Sequence, residues 1–196
     1  MKPPEFTNLG GCLAVNFVNT LQNFRGKTVD LLESVDDLTT WIVFMEKVGW
    51  IVPQQRERLI DTPWNLEAVV EFRHYIREFF ADPMTIVSVS SDLSLLTLQC
   101  PLTFSLLTQN PGQTFHLVAI PEHGGTFGLL SLLAYDLMDL MANGRFLRVK
   151  QCESPVCLAY FVNDSGKRKW CEMAGCGNRQ KSLRHFRRRH HDTDLK

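Results

Sequence analysis

The spacing of apolar residues divides the chain into a series of short elements. Leu13, Val15 and Phe17 alternate with Ala14, Asn16 and Val18, which predicts a strand over Leu13–Thr20. A turn follows around Gly26. Ser34-Val-Asp-Asp37 reads as a helix entry, Leu38, Trp41, Ile42 and Met45 then recur at helical spacing, and Gly49 is the stop. A second helix is predicted over Leu66–Ala81, carrying Val69, Val70, Phe72, Ile76, Phe79 and Phe80 and ending before Pro83. Residues 84–100 are ambiguous, with Asp92 placed to cap a short helix through Leu98. Leu102–Leu107 and Thr114–Ile120 flank Asn110-Pro-Gly112, the pattern of a β-hairpin.

Phe127–Asn143 is the strongest helical segment. It is apolar around most of its circumference, which places it in the core, and Gly144 is positioned to close it. Asp136 and Asp139 interrupt it, and it is too short to span a membrane comfortably. Arg145–Lys150 is predicted as a short strand. The N-terminus, MKPPEFTNLGG, carries no apolar stretch of the secretory kind, so a cytoplasmic protein is expected.

Charge changes this picture. The 196 residues sum to zero, yet residues 1–144 hold 8 Lys+Arg against 16 Asp+Glu, and residues 145–196 hold 13 against 5. That division points to two functional parts, the second suited to a polyanion. Cysteine follows the same division. Cys12 and Cys100 are isolated, while Cys152, Cys157, Cys171 and Cys176 fall within 25 residues as C-x4-C-x13-C-x4-C.

Two close thiol pairs separated by a hairpin-length insert can deliver four soft ligands tetrahedrally, as a structural zinc requires. The same thiols could also form disulfides, hold an iron–sulfur cluster or simply be buried; one zinc per chain is the favoured reading. Between the pairs, Tyr160-Phe-Val162 reads as a strand, Asn163-Asp-Ser-Gly166 as its turn and Lys167–Trp170 as the return strand. Trp170, Tyr160 and Phe161 are expected to pack around the metal. The run after Cys176 reads as a basic helix with Lys181, Arg184 and Arg188 on one stripe and Arg187 and His191 beside it. The stripe suits phosphate contacts, or is a solvated tail; Leu183 and Phe186 are expected to dock the helix.

Other candidates carry less. Asp136 and Asp139 could form a catalytic carboxylate pair, but solvated or salt-bridged positions are the plainer reading. His74, with Arg73 and Arg77, could line an anion pocket, although helix-surface positions are favoured. His190 and His191 read as surface residues. No phosphate-binding loop, dinucleotide fingerprint or nucleophile elbow is present.

Trp170-Cys-x4-Cys176-Gly-Asn-Arg179, followed by Lys181 and an Arg-rich end, resembles the CGNR zinc finger family. Phe17-Val-Asn-Thr20, Asp30-Leu-Leu32, Asp37-Leu38 and Trp41 resemble the ABATE domain that precedes that finger. The resemblance covers nearly the whole chain and implies a bacterial transcription regulator, linked to stress, that binds DNA through the finger. Two departures stand out: Asn16 occupies a position where the family pattern leads one to expect Asp, and the insert between the cysteine pairs is short. Asn178 and Arg179 are motif residues, Arg179 being suited either to phosphate or to an ion pair with Asp164.

These readings predict an α+β chain: a mixed helix and antiparallel-strand domain over 1–148, then a four-cysteine zinc module, hairpin plus basic helix, over 149–196. The first part is expected to fold without the second. The expected function is a non-enzymatic regulator contacting DNA through Arg179, Lys181, Arg184, Arg187 and Arg188, with an N-terminal domain that senses a ligand. The alternatives are an RNA-binding protein, or a small-molecule-binding protein or enzyme with a purely structural finger.

Overall fold

Burial on every side decides the first element. Leu13–Val18 (α1) is a helix, not the expected strand, and all six of its residues are buried. A short apolar run with no solvent face carries no usable period, so alternation could not separate the two. The deciding contact is distant: the Asp136 carboxylate accepts the Ala14 N–H at 2.8 Å, satisfying a donor at the helix start. The computed structural model describes residues 4–60, 63–82, 86–108 and 115–193, with the side chains of 86–87 and 188–193 outside that description.

Leu21–Phe24 (β1) and Lys27–Asp30 (β2) form an antiparallel hairpin. Its two turn residues, Arg25 and Gly26, both take positive φ, as the right-handed twist of such a hairpin demands. Val35–Lys47 (α2) starts where expected. Ser34 Oγ accepts the Asp37 N–H at 3.1 Å, and Leu38, Trp41, Ile42 and Met45 are its buried stripe. Pro53–Ile60 (α3) was not legible, because only Gln55 and Leu59 face inward. Leu66–Ala81 (α4) matches its expected bounds; Pro83 lies outside the described residues.

Ile86–Gln99 (α5) fills the ambiguous stretch. Asp92 lies inside it and accepts the Tyr75 hydroxyl at 2.6 Å, so it is not a cap. Leu102–Leu107 (β3) pairs antiparallel with His116–Pro121 (β4), as expected, although the proposed turn at Asn110-Pro-Gly112 lies outside the described residues.

Gly125–Ala142 (α6) is the central helix. It has the length and apolar composition of a membrane span, yet 61% of it is buried within this chain, against α1, α3, α4, α5 and β4. The expected strand at Arg145–Lys150 is instead a 3-10 turn, Arg145–Arg148, followed by Val149–Gln151 (β5). Coiling the chain there turns Phe146 inward to stack on Phe79 with ring centroids 4.5 Å apart. Tyr160–Val162 (β6) is a strand, but its partner is β5. The expected return strand does not form; Asn163 holds that segment instead, its side chain bonding the Arg168 N–H and carbonyl at 3.0 Å each. Asn178–Thr193 (α7) is the basic helix, entered through a single wide turn at Met173–Gly177. The result is an α+β fold in which, among the described residues, three two-stranded sheets fringe a helical body.

Arg73 corrects another expectation. It is not a surface residue but fully buried, with Nη1 bonding Asp30 Oδ1 at 2.6 Å and Thr20 Oγ1 at 3.0 Å and Nη2 bonding Asp30 Oδ2. Its Nε has no partner. Partial burial works to raise the Asp30 carboxyl, but hydrogen bonds from Arg73 and Leu32 outweigh it and hold it below the ordinary range. Asp30→Asn should therefore cost roughly 3 kcal/mol in urea unfolding, since it leaves a buried guanidinium without its counter-charge. A depressed carboxyl contributes stability above its unfolded value, about pH 4, and loses it as pH falls through the folded value. The acid limb of wild-type stability should thus be steeper than that of the variant.

The two halves also share a core. Tyr160 and Val162 belong to the large apolar cluster built on α6, where Tyr160 packs against Phe80 with centroids 5.4 Å apart. Asn19 clamps the Tyr160 backbone from both sides, accepting its N–H at 2.8 Å and donating to its carbonyl at 2.9 Å. This shared packing argues against the expectation that the first part folds alone. A chain cut after Lys150 should unfold without a cooperative transition by circular dichroism, whereas the full chain should show one.

Candidate metal centre and nucleic-acid interface

The four clustered cysteines come from two tight turns facing each other. Cys152 follows β5 directly, and the Cys157 N–H closes a turn on the Ser154 carbonyl at 2.9 Å. Cys171 and Cys176 flank the entry to α7, where the Gly177 N–H returns to the Glu172 carbonyl at 3.0 Å. All four Sγ atoms lie within 4.8 Å of one another, and Cys171 Sγ is 3.7 Å from Cys157 Sγ and 3.6 Å from Cys176 Sγ. A tetrahedron with zinc–sulfur bonds of 2.3 Å has edges of about 3.8 Å, so the donor set fits zinc. No disulfide joins any of them.

The surroundings suit a thiolate cluster. Hydrogen bonds from Cys157, Cys171 and Cys176 hold Cys152 far below the ordinary thiol range, and the Cys171 N–H points at Cys152 Sγ from 3.4 Å. The same contact with Cys152 pushes Cys157 and Cys171 up, because four thiols this close cannot all ionise without a cation between them. Zinc supplies that cation. Phe161, Leu9, Ala159 and Trp170 pack around the sulfurs; Tyr160, expected there too, belongs to the main core instead. Arg168 stacks on Phe161 at 4.3 Å and donates to the Trp170 and Leu9 carbonyls at 3.1 and 3.2 Å and to the Cys171 carbonyl. Sequence reading missed this brace, since a lysine–arginine run signals a solvated strand.

A model of the CGNR zinc finger matches residues 148–190, and one for the ABATE family, described as "Putative stress-induced transcription regulator", matches residues 11–144. This chain belongs to the ABATE family. No curated protein matches it. The finger takes one zinc ion on Cys152, Cys157, Cys171 and Cys176.

The remaining candidates of this ABATE protein separate clearly. Lys181, Arg184 and Arg187 are exposed along α7, and Arg184 Nε bonds the Gln180 carbonyl at 3.4 Å. The side chains of Arg188, His190 and His191 lie outside the described residues. Leu183 and Phe186, expected to dock the helix, are 43% and 61% exposed. Asp164 takes Arg145 at 2.9 Å and sits 3.9 Å from Arg148, while Arg179 lines a cleft with Cys157, Cys171 and Cys176, so the expected Arg179–Asp164 pair is replaced. Asn178 Nδ2 reaches the Ala174 carbonyl at 3.5 Å. Asn16 accepts the Gly10 N–H at 2.8 Å and donates to Asn8 at 3.2 Å, a donation that the expected Asp could not make.

Asp136 and Asp139 form no catalytic pair. Asp136 caps α1 and Asp139 accepts from Asn143 at 3.0 Å. Among the described residues, the four cysteines are the single cluster of metal-ligating side chains. Arg77, expected on the surface, donates to the Val18 carbonyl at 2.8 Å and the Leu158 carbonyl at 3.1 Å, tying α1 and the first knuckle to α4. Purified protein should contain zinc near one equivalent by elemental analysis. Cys171→Ser should lose most of it, and stoichiometric iron with visible absorbance would contradict the assignment.

Proposed function

We propose that this protein is a transcription regulator that binds DNA through α7, while its ABATE part senses a small ligand. The observation that carries this reading is the exposure of Lys181, Arg184 and Arg187 on a helix whose first turn is anchored at the metal. Register adds Arg188 to the stripe, and Arg179 adds a cation at the metal end. A helix set rigidly by a zinc centre presents its cations at fixed spacing, which phosphate recognition needs. The acidic body repels nucleic acid elsewhere, which confines binding to this end. We place the protein in the cytoplasm, where DNA is accessible.

RNA is the second reading, favoured by the same exposed cations of α7. A purely structural finger would be favoured by a stripe packed against the acidic body, and the exposed cations of α7 oppose it.

Four cations on duplex DNA should give a log–log salt slope near −3 to −4. Arg184→Ala and Arg188→Ala should each reduce the slope by about one. Titrations of the full chain with labelled duplex DNA, and with RNA in parallel, provide the check. Affinity and slope unchanged in both variants would move the interface elsewhere.

A further inference from the structure

A cavity of about 560 Å³ opens between the end of α2, the start of α3, the β3–β4 hairpin and α6. That volume suits a small organic molecule. Its walls mix polar and apolar surface, Leu13, Leu132 and Leu117 supplying part of the apolar share, and two aromatic rings are preset there. Trp50 is fixed by its indole N–H bonding Asn8 Oδ1, and Tyr135 by an edge contact with Phe104 at 5.6 Å. Gln55, also in the wall, has both ends engaged: it accepts the Val52 N–H at 2.8 Å and donates to the Ala119 carbonyl at 2.7 Å.

Among the charged or chargeable side chains in the wall are His116 at the start of β4 and Asp136 of α6. Among the described residues, no lysine or arginine lines the cavity. The Asp136 carboxylate does line it. Arg145, the guanidinium that feels its field, is committed to Asp164 at 2.9 Å and the Gly11 carbonyl at 3.2 Å. Burial and the neighbouring Asp139 leave the Asp136 charge under-compensated, and its carboxyl is raised above the ordinary range. An anion placed against Asp136 would meet repulsion, whereas a cation there would supply what Asp136 lacks and find ring faces beside it.

We propose that this cavity binds a small hydrophobic amine, with its ammonium against Asp136 and its apolar body between Trp50 and Tyr135. The proposal rests on the ligand-sensing reading of the ABATE part and gives it a chemical class. Asp136 also caps α1, the helix that clamps the finger through Asn19, so an ammonium drawing on that carboxylate acts on the element joining the two halves.

The test is isothermal titration of the full zinc-loaded chain with 3-phenylpropylamine, 3-phenylpropanol and 3-phenylpropanoate. The amine should bind at least ten-fold more tightly than the alcohol, and the carboxylate should not bind. Asp136→Asn keeps an acceptor for the Ala14 N–H and should bring the amine to the affinity of the alcohol. Leu117→Arg, on an exposed wall residue, should weaken the amine without disturbing the fold. An alcohol that binds as well as the amine, or an amine preference that survives Asp136→Asn, overturns the amine assignment while leaving a ligand site. Failure of all three probes to bind overturns both the assignment and the ligand-sensing reading, and the DNA titrations stand apart from either.

Discussion

Burying α1 on every side obliges other elements to satisfy its polar groups. Asp136 of α6 takes a donor at its first turn, Arg77 of α4 takes a carbonyl at its last, and Asn19, just beyond it, seizes the backbone of Tyr160. Each of these partners lies more than 50 residues away in sequence. A buried, unsatisfied backbone group costs about 1–3 kcal/mol, so removing any one of the three would be felt throughout the fold. The same six residues therefore hold the central helix, the second large helix and the finger in one arrangement.

The metal centre is fixed by this arrangement as well as by its own ligands. The Val162 N–H bonds the Gly10 carbonyl at 2.8 Å, and the Asn163 N–H bonds the Arg148 carbonyl at 2.8 Å, so the insert between the cysteine pairs is laid against the body before it turns back. Arginines then act in two ways. Arg145 and Arg168 are committed within the fold, to Asp164 and to backbone carbonyls near the sulfurs. Lys181, Arg184 and Arg187 remain on the surface of α7. The excess of cations after residue 144 is thus two populations, one structural and one available to a polyanion.

Local chemistry made several features legible in the chain itself. Four cysteines in two close pairs favour a tetrahedral thiolate site, because each pair is close enough in sequence for one tight turn to present both sulfurs to a single ion. The helices α2, α4 and α6 declared themselves through long apolar periods and their end signals, such as Ser34, whose side chain accepts the Asp37 N–H at the start of α2. The basic helix after Cys176 and the β3–β4 pairing followed in the same way from short-range pattern.

Only the tertiary structure decided the rest, and in each case the reason is a partner remote in sequence. α1 is a helix because Asp136 meets its start, not because of its own period. β6 pairs with β5 instead of a return strand because the Asn163 amide takes over the hydrogen bonds that strand would have made. Arg73 is buried because β2 brings Asp30 to it, and Asp136 becomes a cavity group because α2, α3 and the β3–β4 hairpin close around it. Periodicity records which residues avoid water; it does not record which buried polar group will find which partner.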